Sequence, residues 1–146
     1  MGNSVAIGAA YQDQDLKGSA TVYAAATSGQ IGYNTGSLTT APAIVTQATS
    51  KSTGVTINAS VGQIVTHNAA LAAGVEVAFV VTNSQVSAYD IPVIAIASGA
   101  ATAGTYLVSV VTVAAGSFTI AITNASAGSL SEALTINFGL IHVAQA

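Results

Sequence analysis

Residues 134–140 read Leu-Thr-Ile-Asn-Phe-Gly-Leu, a strict alternation of large apolar side chains with polar or small ones. A period of two places the apolar side chains on one face of a β-strand and the remaining side chains on the other face. The segments 75–82 and 117–123 alternate in the same way. All three segments therefore predict strands with one packed face and one outward face.

From Ala43 onward, Gly, Asn and Ser recur at short intervals along the chain. Runs of β-branched residues lie between them. Such punctuation is typical of successive short strands. We predict strands near 43–47, 54–58, 63–67, 75–82, 91–97, 105–113, 117–123 and 134–143. About eight strands with frequent turns predict an all-β fold, an antiparallel β-sandwich or jelly roll.

Residues 1–42 have a different character from the rest of the chain. They contain three of the seven charged residues and three of the five Tyr, and they lack a sustained period of 2 or 3.6. We predict an extended N-terminal arm over 1–42, with one short strand near 20–25, followed by a β-sandwich domain over 43–146. Tyr combines a large apolar area with a hydrogen-bonding tip and is favoured at interfaces. Tyr11, Tyr23 and Tyr33 are therefore candidate partner contacts, unless they pack back onto their own domain.

The chain is very poor in charge. Seven of its 146 residues are charged, and 91–131 contains no charged residue, whereas a soluble domain carries about a quarter. Either Ser, Thr, Asn and Gln provide the solubility, or much of the surface is covered by further copies or by a larger assembly. Uncharged outer faces also favour pairing between chains. The composition thus indicates a structural or assembly protein and a homo-oligomer before it indicates an enzyme.

Several other classes are disfavoured by composition. The chain has no Arg and two isolated Lys residues, so it lacks the cationic clusters that neutralise nucleic-acid phosphates. It has no Cys, which excludes disulfides and thiolate metal sites. The uncharged run 91–131 is interrupted by Pro, Gly, Ser and Thr, so no apolar stretch of about 18 residues predicts a membrane span. We expect neither a nucleic-acid nor a membrane partner.

Candidate chemistry is sparse. His67 and His142 are the side chains that ordinarily titrate near neutral pH, but no Ser lies in a Gly-x-Ser-x-Gly context. We expect His142 to be a strand-end or interface residue; the alternative is a metal site formed by three copies on a trimer axis. Lys51 is expected in a polar hairpin or a subunit contact. We predict no catalytic residue, no cofactor and no metal, and therefore no enzyme.

The chain contains one internal similarity. The segment 71–83, LAAGVEVAFVVTN, resembles 113–124, VAAGSFTIAITN, with one residue deleted. Each segment consists of a small-residue turn, a strand and a terminal Thr-Asn. Either two strands take related places in two sheets, or the same turn chemistry has arisen twice.

Three runs resemble small structural proteins of tailed bacteriophages that decorate capsids or form head fibres. These runs are 45–58, VTQATSKSTGVTIN; 113–120, VAAGSFTI; and 129–138, SLSEALTINF. The resemblance implies a non-enzymatic virion protein on the capsid surface, a symmetric oligomer that is most often a trimer. It also implies a partner, the major capsid protein or another virion protein, with the N-terminal arm attached to the particle. No functional residue carries over from the family.

A second function class remains open, a carbohydrate-binding or adhesin module of a phage tail or cell surface. Sugar sites present aromatic faces beside Asn, Asp and Gln. In the β-domain, the pair Tyr89-Asp90 and the residue Tyr106 are the candidates for such a site.

Overall fold

The computed structural model describes residues 43–143 together with two short strands, β1 (Val22–Ala24) and β2 (Ile31–Tyr33). The chain divides into two compact units, Met1–Asn34 and Thr35–Ala146. In the first unit, β1 and β2 pair antiparallel, and β1 lies in the segment 20–25 for which a strand is predicted. The rest of the predicted arm lies outside the described residues.

The described part of the second unit contains eight strands and no helix. The strands are β3 (Ala43–Thr46), β4 (Val55–Thr56), β5 (Val61–Val65), β6 (Glu76–Thr82), β7 (Ile91–Ser98), β8 (Tyr106–Ala114), β9 (Ser117–Asn124) and β10 (Thr135–Ile141). They form two four-stranded sheets, the first in the order β3-β5-β10-β7 and the second in the order β4-β6-β9-β8. The predicted all-β sandwich is confirmed, and every predicted strand lies within two residues of an observed one.

Both sheets are mixed, and in this detail they depart from the antiparallel expectation. The edge pairs β3–β5 and β4–β6 are parallel, whereas the remaining pairs of the two sheets are antiparallel. The cause is the path of the chain, which crosses from β3 to β4 in the opposite sheet before it returns to β5. A tight hairpin imposes antiparallel pairing, and a connection through another element removes that constraint.

The alternating segments supply the core as their pattern predicts. Leu134, Ile136, Phe138 and Leu140 of the first sheet are all buried, as are Phe118, Ile120 and Ile122 of the second. The rings of Phe118 and Phe138 meet between the sheets, with centroids 5.7 Å apart and a tilt of 52°. Burying an apolar side chain of this size contributes roughly 1.5–3 kcal/mol, so the facing rows of the two sheets hold the sandwich together.

The internal similarity corresponds to β6 and β9, which are neighbours in one sheet and not counterparts in two. Each strand follows a glycine with positive φ, Gly74 (68°) or Gly116 (81°), and each ends at a buried Asn. The Asn83 N–H donates to the Gly116 carbonyl at 2.9 Å, and the Asn124 N–H donates to the Val75 carbonyl at 3.0 Å. The two segments thus form a local, approximately two-fold pair at the centre of the second sheet.

Gly99, directly after β7, is the glycine whose replacement should disturb the fold most directly. Its φ is +101°, and an added Cβ would lie 2.1 Å from the Ala133 carbonyl oxygen. Gly104 also has a positive φ (+78°), but a Cβ there would meet nothing within 4 Å. We expect Gly104→Ala to cost about 1 kcal/mol of unfolding free energy through backbone strain alone, and Gly99→Ala to cost at least about 2 kcal/mol. Urea unfolding checks this, and equal losses would show that the segment around Ala133 yields freely.

Candidate functional site

The three Tyr residues predicted as partner contacts fall in the first unit. Tyr11 lies outside the described residues. Tyr23 is in β1 opposite Gly32, and Tyr33 is in β2 opposite Val22, so the backbone places two of the three on paired strands. Their contact role stays a prediction.

Among the described residues, the outer face of the first sheet carries no charged side chain. Strand pairing aligns Ile44, Gln63, Asn137 and Ala95 in one row across β3, β5, β10 and β7, and the Gln63 amide donates to Asn137 Oδ1 at 2.9 Å. Large apolar side chains on this face are more than half exposed: Ile44, Ile91, Val93 and Ile141. We call this surface the first face.

The outer face of the second sheet, the second face, carries one charge. Glu76 accepts a hydrogen bond from the Thr123 hydroxyl at 2.9 Å, and the hydroxyls of Thr112 and Thr119 bond one another at 2.9 Å. Val80, Leu107 and Val111 are about half exposed. Polar groups on both faces thus bond laterally along the sheet, which lowers their demand for water and the cost of covering them.

Lys51, one of the two cations of the chain, is inside its domain. Its side chain is 3% exposed, and Nζ donates to the carbonyl oxygens of His67 at 2.6 Å and Glu132 at 2.5 Å. The ammonium also lies 6.0 Å from the centroid of the Tyr106 ring. Burial lowers the pKa of Lys51, and the nearby Glu132 carboxylate opposes that shift. The residue therefore joins distant segments of its own domain, and it lies in the turn between β3 and β4, which belong to different sheets and do not form a hairpin.

Two further side chains complete this polar network. Gln47 is buried, donates from Nε2 to the carbonyls of Lys51 and Thr53, and accepts from the His67 N–H at 3.0 Å. The Tyr106 hydroxyl donates to Glu132 Oε2 at 2.8 Å. Burial, together with this carboxylate, raises the pKa of Tyr106 to about 12, so the phenol remains a donor throughout the neutral range. Every buried side-chain nitrogen and oxygen of this network has a hydrogen-bond partner among the described residues.

A different arrangement lies at the opposite end of the first sheet, where β5 begins, β7 begins and β10 ends. Ser60 Oγ is 3.2 Å from His142 Nε2, and His142 Nδ1 is 2.9 Å from Asp90 Oδ2. We call these three residues the Ser60–His142–Asp90 relay. The His142 side chain is 36% exposed and the Asp90 side chain 2%. The order of hydroxyl, imidazole and buried carboxylate is that of a nucleophile, a base and an orienting acid.

The carboxylate of the relay is firmly fixed. Asp90 accepts from the Ser87 N–H at 2.8 Å, from the Ser87 hydroxyl at 2.7 Å and from the Val143 N–H at 3.1 Å. Burial by itself would raise the pKa of Asp90, but these hydrogen bonds and the one from His142 hold it well below its usual range. Asp90 is therefore ionised at neutral pH and holds both the 87–90 turn and the end of β10.

Comparison with known protein families, with characterised proteins and with solved structures found no significant match. Any functional conclusion therefore depends on the geometry of the described residues and on the sequence patterns described above.

The described residues hold no group of three or more His, Asp or Glu placed to bind a metal ion. No helix in this part of the chain has the length and hydropathy to cross a membrane. Of the aromatic candidates for a sugar site, Tyr106 is buried and Tyr89 is exposed, while the neighbouring Asp90 is engaged in the relay. Tyr89 alone could present its ring to a ligand.

The relay is not predicted by the sequence. His142 is expected there as a strand-end or interface residue and Asp90 as a neighbour of Tyr89 in a sugar site, and Ser60 lies in no catalytic motif. The three residues lie 30 and 52 positions apart along the chain, and no local motif connects them. The strand parity of His142, shared with Leu140, was the one available signal that its ring turns toward the sandwich and not away from it.

Proposed function

We propose that this chain is a non-enzymatic virion structural protein that decorates or stabilises a phage capsid. It does so as a symmetric oligomer, for which a trimer is the favoured state. The observation that supports this most directly is the pair of outer faces, which carry a single charge, Glu76, among half-exposed apolar side chains. Charged residues are depleted at the centre of protein interfaces, and apolar and amide-bearing strands tolerate being covered. The resemblance of three sequence runs to phage structural proteins supports the same role.

The mechanism of such a protein is cementing. Each bound copy bridges neighbouring capsid subunits, and its binding free energy is added to the stability of the assembled shell, because a ligand that binds the assembled state shifts the equilibrium toward that state. The domain contributes a β-sandwich with nearly uncharged outer faces. These faces need no charged side chains to keep them hydrated once the assembly covers them.

Substitution of one exposed residue on a face tests this role. Val93 is more than half exposed on the first face, so Val93→Lys should fold normally while placing an ammonium in any interface there. We expect the wild-type chain to scatter light as a discrete oligomer, and Val93→Lys to weaken self-association or shell binding at least about tenfold, because burying an unpaired charge is costly.

Ser52→Lys, on an exposed turn away from the faces, is the matched control and should behave as the wild type. Both variants are compared by light scattering and by co-sedimentation with empty shells of the phage that encodes the chain. A wild-type chain that stays monomeric and does not bind the shells contradicts the proposal.

A further inference from the structure

We propose that the Ser60–His142–Asp90 relay is a nucleophilic site that accepts and hydrolyses esters of small uncharged acyl groups. This activity is additional to the capsid-decorating role proposed above and takes the place of the non-enzymatic part of that proposal. It replaces the expectation that the chain has no catalytic residue.

The tautomer of the neutral His142 imidazole follows from the geometry. The ionised Asp90 carboxylate can only accept hydrogen bonds, so His142 Nδ1, 2.9 Å from Oδ2, carries a proton and donates it. In the neutral imidazole, Nε2 is then the acceptor, and the Ser60 hydroxyl, 3.2 Å away, is the donor. This is the tautomer that a general base must have in order to remove the serine proton.

A purely structural role explains only part of this arrangement. The His142–Asp90 bond and the bond from the Val143 N–H both go to the Asp90 carboxylate, and together they hold the end of β10 against the 87–90 turn. The hydroxyl at the other ring nitrogen comes from a third segment, and the Leu140 N–H already ties that segment to β10 by donating to the Ser60 carbonyl at 2.8 Å. The Oγ–Nε2 contact is thus not required to hold the segments together.

The chemical steps are those of acyl transfer. Ser60 Oγ attacks the ester carbonyl carbon, a C–O bond forms, and the serine proton passes to His142 Nε2. The tetrahedral adduct then collapses, the bond to the alcohol oxygen breaks, and the alcohol leaves with the proton from Nε2. Water attacks the acyl-serine with the same base, which yields the carboxylic acid and restores the serine.

The surroundings indicate the class of ester. Tyr89 and Val143, which adjoin Asp90 and His142 in sequence, are exposed, whereas Ile91 and Ile141 project onto the first face and not toward the relay. No other charged residue lies between positions 77 and 131. A short uncharged acyl group suits this environment, whereas a charged acyl group finds no counter-ion among the side chains that the structure places there.

The test uses the full-length chain with 4-nitrophenyl acetate and, separately, with a fluorophosphonate that phosphonylates activated serines. We expect one covalent adduct per chain, located on Ser60 by peptide mass spectrometry. Ser60→Ala should abolish both the adduct and nitrophenolate release above background. His142→Gln should slow acylation at least about 100-fold, which is the lower range for loss of a general base. Ser52→Ala, an exposed serine on another turn, should react as the wild type.

Asp90 is a positioning residue, and its variants separate orientation from folding. Asp90→Asn should slow acylation with an unchanged KM, because the amide can donate to Nδ1 and so favour the wrong tautomer. Ser87→Ala, which removes one bond to Asp90 and leaves the charge, should slow it far less. An adduct on other residues, no adduct on Ser60 of the folded wild-type chain, or equal labelling rates in the wild type and a folded His142→Gln variant overturns the proposal.

Discussion

Replacing Lys51 by Ala is expected to lower the free energy of unfolding by about 4 kcal/mol, the largest loss that we predict for a single polar side chain here. The ammonium donates to the carbonyls of His67 and Glu132, and each hydrogen bond from a charged donor contributes about 1.5–3 kcal/mol. Removing the donor leaves both carbonyls without this partner and empties the volume of the buried side chain. Urea unfolding at neutral pH, followed by far-UV circular dichroism, measures the loss.

Lys51→Met separates hydrogen bonding from packing. Met keeps a flexible apolar side chain of similar length but supplies no donor, so we expect a loss of about 3 kcal/mol for the missing hydrogen bonds. If Lys51→Met is as stable as the wild type, the carbonyls find other partners and the ammonium is not what joins these segments. If the Met and Ala variants lose stability equally, packing of the stem adds nothing measurable.

The strand faces of this protein could be predicted from the sequence because they depend on local periodicity. In 134–140 and 117–123, alternation alone assigned each side chain to the core or to the outer surface, and burial agrees except at Ala121, which alternation places outside but which is 1% exposed. Hydrophobic burial is non-directional and acts on every apolar side chain of a face. A pattern of seven residues is therefore sufficient to predict which side chains of a strand are buried.

The pairing order and the polar contacts could not be read in that way. The parallel edges depend on which sheet each strand enters, and a strand's own pattern does not record this. Lys51 and Glu132 are 81 positions apart and Ser60 and His142 are 82 apart, so their contacts exist only once both sheets are assembled. Directional hydrogen bonds depend on such long-range geometry, and no residue spacing along the chain indicates them.

Two of the four charged residues in 43–143, Lys51 and Asp90, are buried and bond to distant segments. Glu132 is partly exposed and accepts from the Tyr106 hydroxyl, and Glu76 lies on an outer face. The fraction of charged residues at the surface of this domain is therefore lower than the composition of the sequence suggests. This distribution is what the proposed covered faces require, since a charge placed there would have to be desolvated in the assembly.

Replacing Asn124 by Ala is expected to lower the free energy of unfolding by about 3 kcal/mol. The buried amide donates to the carbonyls of Leu71 at 2.8 Å and Gly128 at 2.7 Å, and its oxygen accepts from the N–H and the hydroxyl of Ser126. It therefore holds the end of β9 against the segment before β6 and against the following turn. Thermal and urea unfolding of the variant measure the loss.

Asn83 is the matched control, because it occupies the related position at the end of β6. Its oxygen accepts from the Gln85 N–H at 2.9 Å, as that of Asn124 does from the Ser126 N–H, while its amide makes a single bond, to the Ala59 carbonyl at 2.7 Å. Both Asn residues make the turn bond, but Asn83 has fewer other hydrogen-bond partners than Asn124. We therefore expect Asn83→Ala to lower the free energy of unfolding by about 1.5–2 kcal/mol. The difference measures what the additional bonds of Asn124 contribute, and equal losses would mean that the shared turn bond alone stabilises both strand ends.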